Sequence, residues 1–178
     1  IAMNSTKGRL IMMAAVALAV TACGGGGGGD DSQGGVTPPP VGATKTRIVT
    51  GAISGFGSVI VNGVRYDTSG ADVRVEDRAG SLAELAVGQV VRIEATVDDR
   101  GGARAARVEQ HRLLQGTVQA VDAVAGTITI AGQVVVVDAD TSFDDSIPGA
   151  SLAGIAVGDR IEVHGFAGAD GRARATRI

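Results

Sequence analysis

Aromatic side chains are scarce in this chain: tryptophan is absent, and Tyr66, Phe56, Phe143 and Phe166 are the only rings apart from the two imidazoles. Any core must therefore be assembled from Val, Ile, Leu and Ala. A groove that stacks successive bases would lack its platforms. Positive charge is not in excess either. The formal net charge is −3, and lysine occurs only at positions 7 and 45. An acidic chain gains nothing from counterion release on nucleic acid, and an anionic bilayer does not attract it. A single cysteine excludes an internal disulfide. No G-x-S-x-G, H-E-x-x-H or phosphate-cradling loop is present. With His111 and His164 the only histidines, no convergent nucleophile, base and acid can be read. The expectation is a protein without catalytic residues, without a cofactor and without a bound metal.

What is present begins with Cys23. Residues 3–23 read MNSTKGRLIMMAAVALAVTAC, a basic start at Lys7 and Arg9 followed by an apolar run over 10–20. That run is shorter than the roughly 20 residues of a membrane-spanning helix, and it has the size of a secretion-signal core. Val20-Thr21-Ala22-Cys23 resembles the lipobox of bacterial lipoproteins. The resemblance implies cleavage between Ala22 and Cys23 and acylation of Cys23 by diacylglycerol and palmitate-type chains; several chains hold a protein firmly where one does not. The alternatives are an ordinary signal peptide with a coincident cysteine, or a short buried helix. Gly24, rather than the Asp that in such lipoproteins signals inner-membrane retention, follows the cysteine, so the resemblance implies the outer membrane of a Gram-negative bacterium. Ile1 and Ala2 precede Met3 and are expected to lie upstream of the true start. Without residues 1–22 the remainder is more acidic still.

Residues 24–42, GGGGGGDDSQGGVTPPPVG, show no apolar periodicity and cannot bury enough surface to fold. A flexible chain of about 19 residues reaches roughly 25 Å on average, with Pro38 to Pro40 stiffening its far end. This reads as a disordered tether, extending from Cys23 to residue 45.

Beyond it the sequence repeats itself. Shifted by 70 residues, 82–108 falls on 152–178 without a gap, and Leu82, Ala83, Ala86, Val87, Gly88, Gly101, Ala103, Arg104, Ala105 and Arg107 recur unchanged. Upstream, Gly51-Ala52-Ile53 answers Gly116-Thr117-Val118, and Val59 to Gly63 answers Ile128 to Gly132. Two copies result, 46–112 and 113–178. Each reads as β. Val91, Ile93, Ala95 and Val97 face one way, with Arg92, Glu94 and Thr96 opposite. Ile161, Val163 and Gly165 repeat the pattern against Arg160, Glu162 and His164. Asn62-Gly63 and Asp170-Gly171 are hairpin signals, and Ala131 in place of Asn62 weakens the second copy's first hairpin. Short helical turns at 81–87 and 151–157 are expected to plug the sheet ends with Leu82 and Leu85, and with Leu152 and Ile155. Gly88 and Gly158 then turn the chain into the next strand.

Five or six short strands and a plug in about 65 residues suit a small closed barrel, which leaves no exposed edge; an open sandwich is the alternative. So small a unit is marginal alone, so the copies are expected to pack together. The openings Gly51 to Ile53 and Gly116 to Val118, the segments Leu85 to Val91 and Ile155 to Ile161, and the closings Ala103 to Val108 and Ala173 to Ile178 carry a further resemblance. They resemble the units of a bacterial envelope family of unknown function, numbered 5666 and found in tandem on lipoproteins. The resemblance implies an all-β, OB-like fold and brings no catalytic residues.

The remaining candidates are charged. Arg104, Arg107 and Arg112, echoed by Arg172, Arg174 and Arg177, make a basic strand in each copy. Arg104, Arg107, Arg174 and Arg177 are the possible ligand strip, for envelope polysaccharide or another anionic ligand. The alternative is that these charges only discourage edge pairing. Asp138, Asp140, Ser142 and Asp144 space oxygens as a calcium loop begins. However, Phe143 and Gly149 stand where its glycine and glutamate belong, so a polar crossing with no metal is the better reading. His111 and His164 are read as solvated. The whole reads as a lipid-anchored, non-catalytic structural or protein-interaction module of the cell envelope, with an unknown envelope protein or glycan as partner and no nucleic acid. Ile178 aligns with Val108, after which the first copy continues through Glu109-Gln110-His111, so the gene is expected to run on into further units.

Overall fold

Alternating Val and Ile with turn residues between them leaves the chain little choice but short strands, and that is what forms. The computed structural model describes residues 44–178; the expected signal peptide (1–22), Cys23 and the glycine tether lie outside the described residues, apart from the last two positions of the tether. The first copy contains β1 (Lys45–Gly55), β2 (Val59–Val61), β3 (Val64–Asp67), β4 (Asp72–Val75), β5 (Arg78–Ala79), β6 (Val90–Val97) and β7 (Ala103–Gln110). β1, β2 and β3 form an antiparallel meander. β6 runs along β1 from Lys45↔Val97 to Ala52↔Val90 and returns on β7. Parallel pairing of β3 with β7, at Tyr66↔Ala103 and Asp67↔Arg104, shuts the ring. The second copy repeats this with β8 (Leu114–Asp122), β9 (Thr127–Ile130), β10 (Gln133–Val136), β11 (Arg160–Ala167) and β12 (Ala173–Arg177), closed by β10 on β12. A three-strand meander whose first strand also pairs with the fourth, closed by a parallel contact between third and last strands, is the OB-like arrangement. The sandwich alternative is not what forms.

The cores are aliphatic, as the composition requires. Ile53, Val59, Val61, Val91, Ile93 and Val108 fill the first barrel around Tyr66, its one buried ring. Val118, Ile128, Ile130, Val135 and Val163 fill the second. Single 3₁₀ turns at Leu82–Glu84 and Leu152–Gly154 sit at the barrel ends. Leu85 and Ile155, already extended, drop their side chains inward, whereas Leu82 stays exposed and does not share the plug. It lies a turn back, on the solvent side of the 3₁₀ segment.

The copies differ in what connects their third and fourth barrel strands. The first inserts the hairpin β4–β5, laid parallel on β7 from Asp72↔Arg107 to Val75↔Gln110. The second uses an irregular crossing that touches β12 through the bridge Ser142↔Arg177. Both first hairpins, by contrast, turn identically: Asn62 and Gly63 have φ of 51° and 76°, Ala131 and Gly132 of 50° and 78°. These are type I′ turns. The second copy thus keeps the hairpin that Ala131 was expected to weaken, because the flanking strands impose it at a cost of about 1–2 kcal/mol for a left-handed alanine.

Candidate functional site

Two residues of the last strand oppose one of its neighbour in both barrels. Glu94 pairs with Arg107 and Ala95 with Ala105; His164 pairs with Arg177 and Gly165 with Ala175. Ala106 and Thr176 are therefore the extra residues of β-bulges. Strict alternation would put Arg104 and Arg107 on opposite faces. The bulge turns both outward, and Arg174 and Arg177 likewise.

The structure brings the four strip arginines together in two pairs, each beside carboxylates. Arg104 meets Asp67 at 3.3 Å and Arg107 meets Asp72 at 3.2 Å. Arg174 meets Asp138 at 2.7 Å and Asp140 at 3.0 Å; Arg177 meets Asp144 at 2.8 Å. Asp67 closes β3 itself, and Asp72, Asp138, Asp140 and Asp144 come from the segment that follows the third barrel strand. The guanidinium groups thus tie that crossing segment to the last strand. In the calcium-like run Asp138, Asp140 and Asp144 answer arginines, and among the described residues no group of three or more His, Cys, Asp or Glu residues is placed to hold a metal ion. Asp144 is held below the usual carboxylate range, chiefly by the Ser146 backbone N–H and hydroxyl, then by Arg177, against a small desolvation. Asp67 is lowered similarly, first by the Ser69 hydroxyl. Exposed pairs of this kind contribute little each.

His164 corrects the sequence reading. It is 3% exposed, not solvated. Its Nδ1 lies 3.3 Å from Gln110 Nε2, and its Nε2 lies 3.0 Å from Glu162 Oε1. Since Gln110 Nε2 can only donate, Nδ1 accepts and the proton sits on Nε2, facing the carboxylate. Burial lowers its pKa, while Glu162, the His111 backbone and Glu76 oppose that shift. Gln110 belongs to β7 of the first barrel, so this buried bond joins the copies. Nothing in the 70-residue comparison signals it, because His164 answers Glu94 and its cover comes from Gln110 at the end of the other copy's last strand. His111 itself is exposed, as expected.

The junction has a second fastening. The turn at Val87 and Gly88 of the first barrel lies on the last strand of the second. Thr176 Oγ1 donates to the Gly88 carbonyl at 2.6 Å, and Arg177 Nη1 donates to the Val87 carbonyl at 3.2 Å. Gly88 has φ +88°, and a Cβ there would lie 2.5 Å from the Thr176 carbonyl oxygen. Beside this contact runs a groove of about 440 Å³ whose walls include Ser54, Val87, Asp140, Phe166, Arg174 and Thr176. Phe166 is 42% exposed there. Tyr66 is buried and Phe56 stands apart, so no run of stacking rings exists among the described residues. Among those residues, too, no helix is long and apolar enough to cross a membrane.

A family model described as "Domain of unknown function (DUF5666)" matches residues 48–109 and again 115–178. No curated protein and no solved structure matches the chain.

Proposed function

The chain belongs to the DUF5666 family, twice over, and from that premise we propose that it is a non-catalytic interaction module of the bacterial cell envelope, held by lipid on Cys23. The observation that carries the reading is the commitment of ionic side chains to the fold. Arg104, Arg107, Arg174 and Arg177 each answer a carboxylate, and His164 is spent on the junction between barrels. Of these groups Arg177 and His164 also hold the two barrels as one docked pair with a composite surface. The lipid anchor draws its support from the sequence alone: the basic start, the apolar run over 10–20, Ala22-Cys23, and a glycine tract that separates the anchor from β1. Partner contacts made by two units on a tether gain from effective concentration without needing high affinity in either.

Metabolic labelling with tagged palmitate tests the anchor. Label is expected in the wild-type chain and absent from Cys23→Ala; equal labelling of both, or none in either, overturns it. Cross-linking of the tagged chain in intact envelopes then tests the module, with a stoichiometric partner expected.

A glycan is a second reading, favoured by one observation: Phe166 lies exposed in the same groove as Arg174 and Asp140. An apolar ring beside paired charged donors and acceptors suits a sugar. Binding to envelope polysaccharide that is lost in an Arg104→Ala and Arg174→Ala double variant, and weakened by salt, would establish it. Retention of binding in that variant would remove the arginines from the account.

A further inference from the structure

The two copies meet through unlike surfaces, the 87–88 turn of one against the bulged last strand of the other. Such a heterologous contact leaves one of each surface over. The unused turn is Ala156-Val157-Gly158-Asp159. It repeats the used one closely: Gly88 N donates to Ile53 O at 2.8 Å and Gly158 N to Val118 O at 2.9 Å, while Gln89 N and Asp159 N each return to the alanine carbonyl at 3.2 Å. The side chains at 89 and 159 accept from that alanine's N–H in both. The turns differ in cover. Gly88 is buried, whereas residues 156–160 are all exposed, Val157 by 65%. A Cβ on Gly158 would meet nothing within 4 Å. Among the described residues, no hydrogen bond reaches the Val157 or Gly158 carbonyl, the counterparts of the two carbonyls that Arg177 and Thr176 fill at the junction.

The unused strand surface lies at the other end, on β7. Ala106 is its bulge residue and Arg107 follows, in the places of Thr176 and Arg177. Asp72 stands opposite Arg107 where Ser142 stands opposite Arg177. Thr176 and Arg177 are half-buried by the junction, and Ala106 and Arg107 are exposed.

We propose that a second copy of this chain docks head to tail, its Ala106–Arg107 bulge seated on the Val157–Gly158 turn of the first, in continuation of the contact between the barrels. This deepens the interaction-module reading by naming its partner, and rests on it. Arg107 supplies the guanidinium donor for the Val157 carbonyl as Arg177 does for Val87. Ala106 has no hydroxyl, so the counterpart of the Thr176 bond is missing and the intermolecular contact is weaker than the internal one. The internal contact also has the short linker 111–113 in its favour, which separate chains lack. Because the contact is heterologous, it extends into open chains rather than closing a dimer.

The test uses full-length chain purified in detergent with Cys23→Ser, so that introduced thiols are the only ones. Ala106→Cys in one tagged form is mixed with Val157→Cys in another and oxidised mildly. Disulfide between the two tags is expected roughly tenfold faster than with Val124→Cys, a fully exposed control on the β8–β9 turn, as pre-alignment raises effective concentration. Equal rates overturn the proposal. Should a cysteine variant misfold, sedimentation of the Cys23→Ser chain decides instead: concentration-dependent growth that Val157→Asp abolishes supports the proposal, and monomer throughout refutes it. If envelope cross-linking still recovers a different partner in stoichiometric yield, only self-docking falls and the interaction-module reading stands.

Discussion

Replacing Gly88 by alanine, with Gly158→Ala as its internal control, isolates the junction between the barrels. Both glycines have positive φ, +88° and +100°, so both substitutions place an L-residue where backbone strain costs about 1–2 kcal/mol. At Gly158 nothing further is touched. At Gly88 the new methyl would sit 2.5 Å from the Thr176 carbonyl oxygen and 2.9 Å from Arg177 Cβ. Neither contact is tolerable, and the carbonyl is held in place by Ser142 N at 2.9 Å. The turn must lift off the second barrel, stretching the Thr176–Gly88 bond, which is worth about 1 kcal/mol net, and loosening its packing, typically about 1–3 kcal/mol. Gly88→Ala should therefore cost about 3–6 kcal/mol against about 1–2 for Gly158→Ala. Urea denaturation followed by far-ultraviolet circular dichroism and by Tyr66 fluorescence measures both. Tyr66, the only tyrosine, lies buried in the first barrel, so its transition should separate from the overall one in Gly88→Ala alone. Equal costs for the two substitutions would show that the barrels do not dock through this turn.

Three further outcomes follow from the same contacts. Burial keeps His164 neutral in the folded state below its ordinary pKa of about 6.5, so the unfolded chain takes up the proton first as pH falls; stability is full above that value and declines below it, by at most about 1.4 kcal/mol per unit. Denaturation midpoints between pH 5 and 7.5 should show this slope in the wild type and lose it in His164→Gln; an unchanged slope would mean that the imidazole is not the group responsible. Ala131→Asn should stabilise the second barrel by about 0.5–1 kcal/mol by relieving a left-handed alanine, and a midpoint that fails to rise would deny the turn its strain. Arg177→Ala should cost about 2 kcal/mol, because this mostly buried side chain donates to both Val87 O and Asp144. Its counterpart Arg107→Ala, itself half exposed and making no contact with the other barrel, should cost under about 1 kcal/mol; the reverse order by the same assay would contradict the assignment of the junction.

Much of the fold was written in local pattern. The 70-residue self-match separated the copies, and alternation through Val91, Ile93 and Ala95 fixed which face is core, since a strand has only two. Asn62-Gly63 declared its hairpin. What escaped was relational. A bulge at Ala106 or Thr176 is a mismatch between two strands, and neither strand's own sequence carries it. The β4–β5 hairpin was unread because its turn, Glu76-Asp77, takes positive φ at both residues without a glycine to announce it. His164 sits on the polar face by alternation and is buried anyway, under Gln110 from the other copy. The arginines were legible as a strip, yet their partners arrive from a crossing segment whose position depends on barrel closure. Cys23 and Ala22 precede the described residues, so their reading still rests on the sequence.

The junction between the barrels also explains why the copies have diverged where they have. The linker is pinned on both sides. Leu113 N donates to Val163 O at 2.8 Å, drawing the linker onto the second barrel, and Arg112 N donates to Glu76 Oε1 at 2.7 Å, tying it to the first. The Arg112 guanidinium then spans Glu76 and Glu162, one acid from each barrel. Glu76 can do this only because the β4–β5 hairpin carries it beyond β7, and the second copy, whose crossing holds no such hairpin, has no counterpart. Thr176 likewise fastens the 87–88 turn within the chain, and the first copy has Ala106 in its place. A pair fastened both at its linker and at the 87–88 turn cannot hinge freely at either point. The spacing between the two units is thus set by the junction. A partner that reads both barrels would therefore feel Gly88→Ala even with none of its own contacts altered.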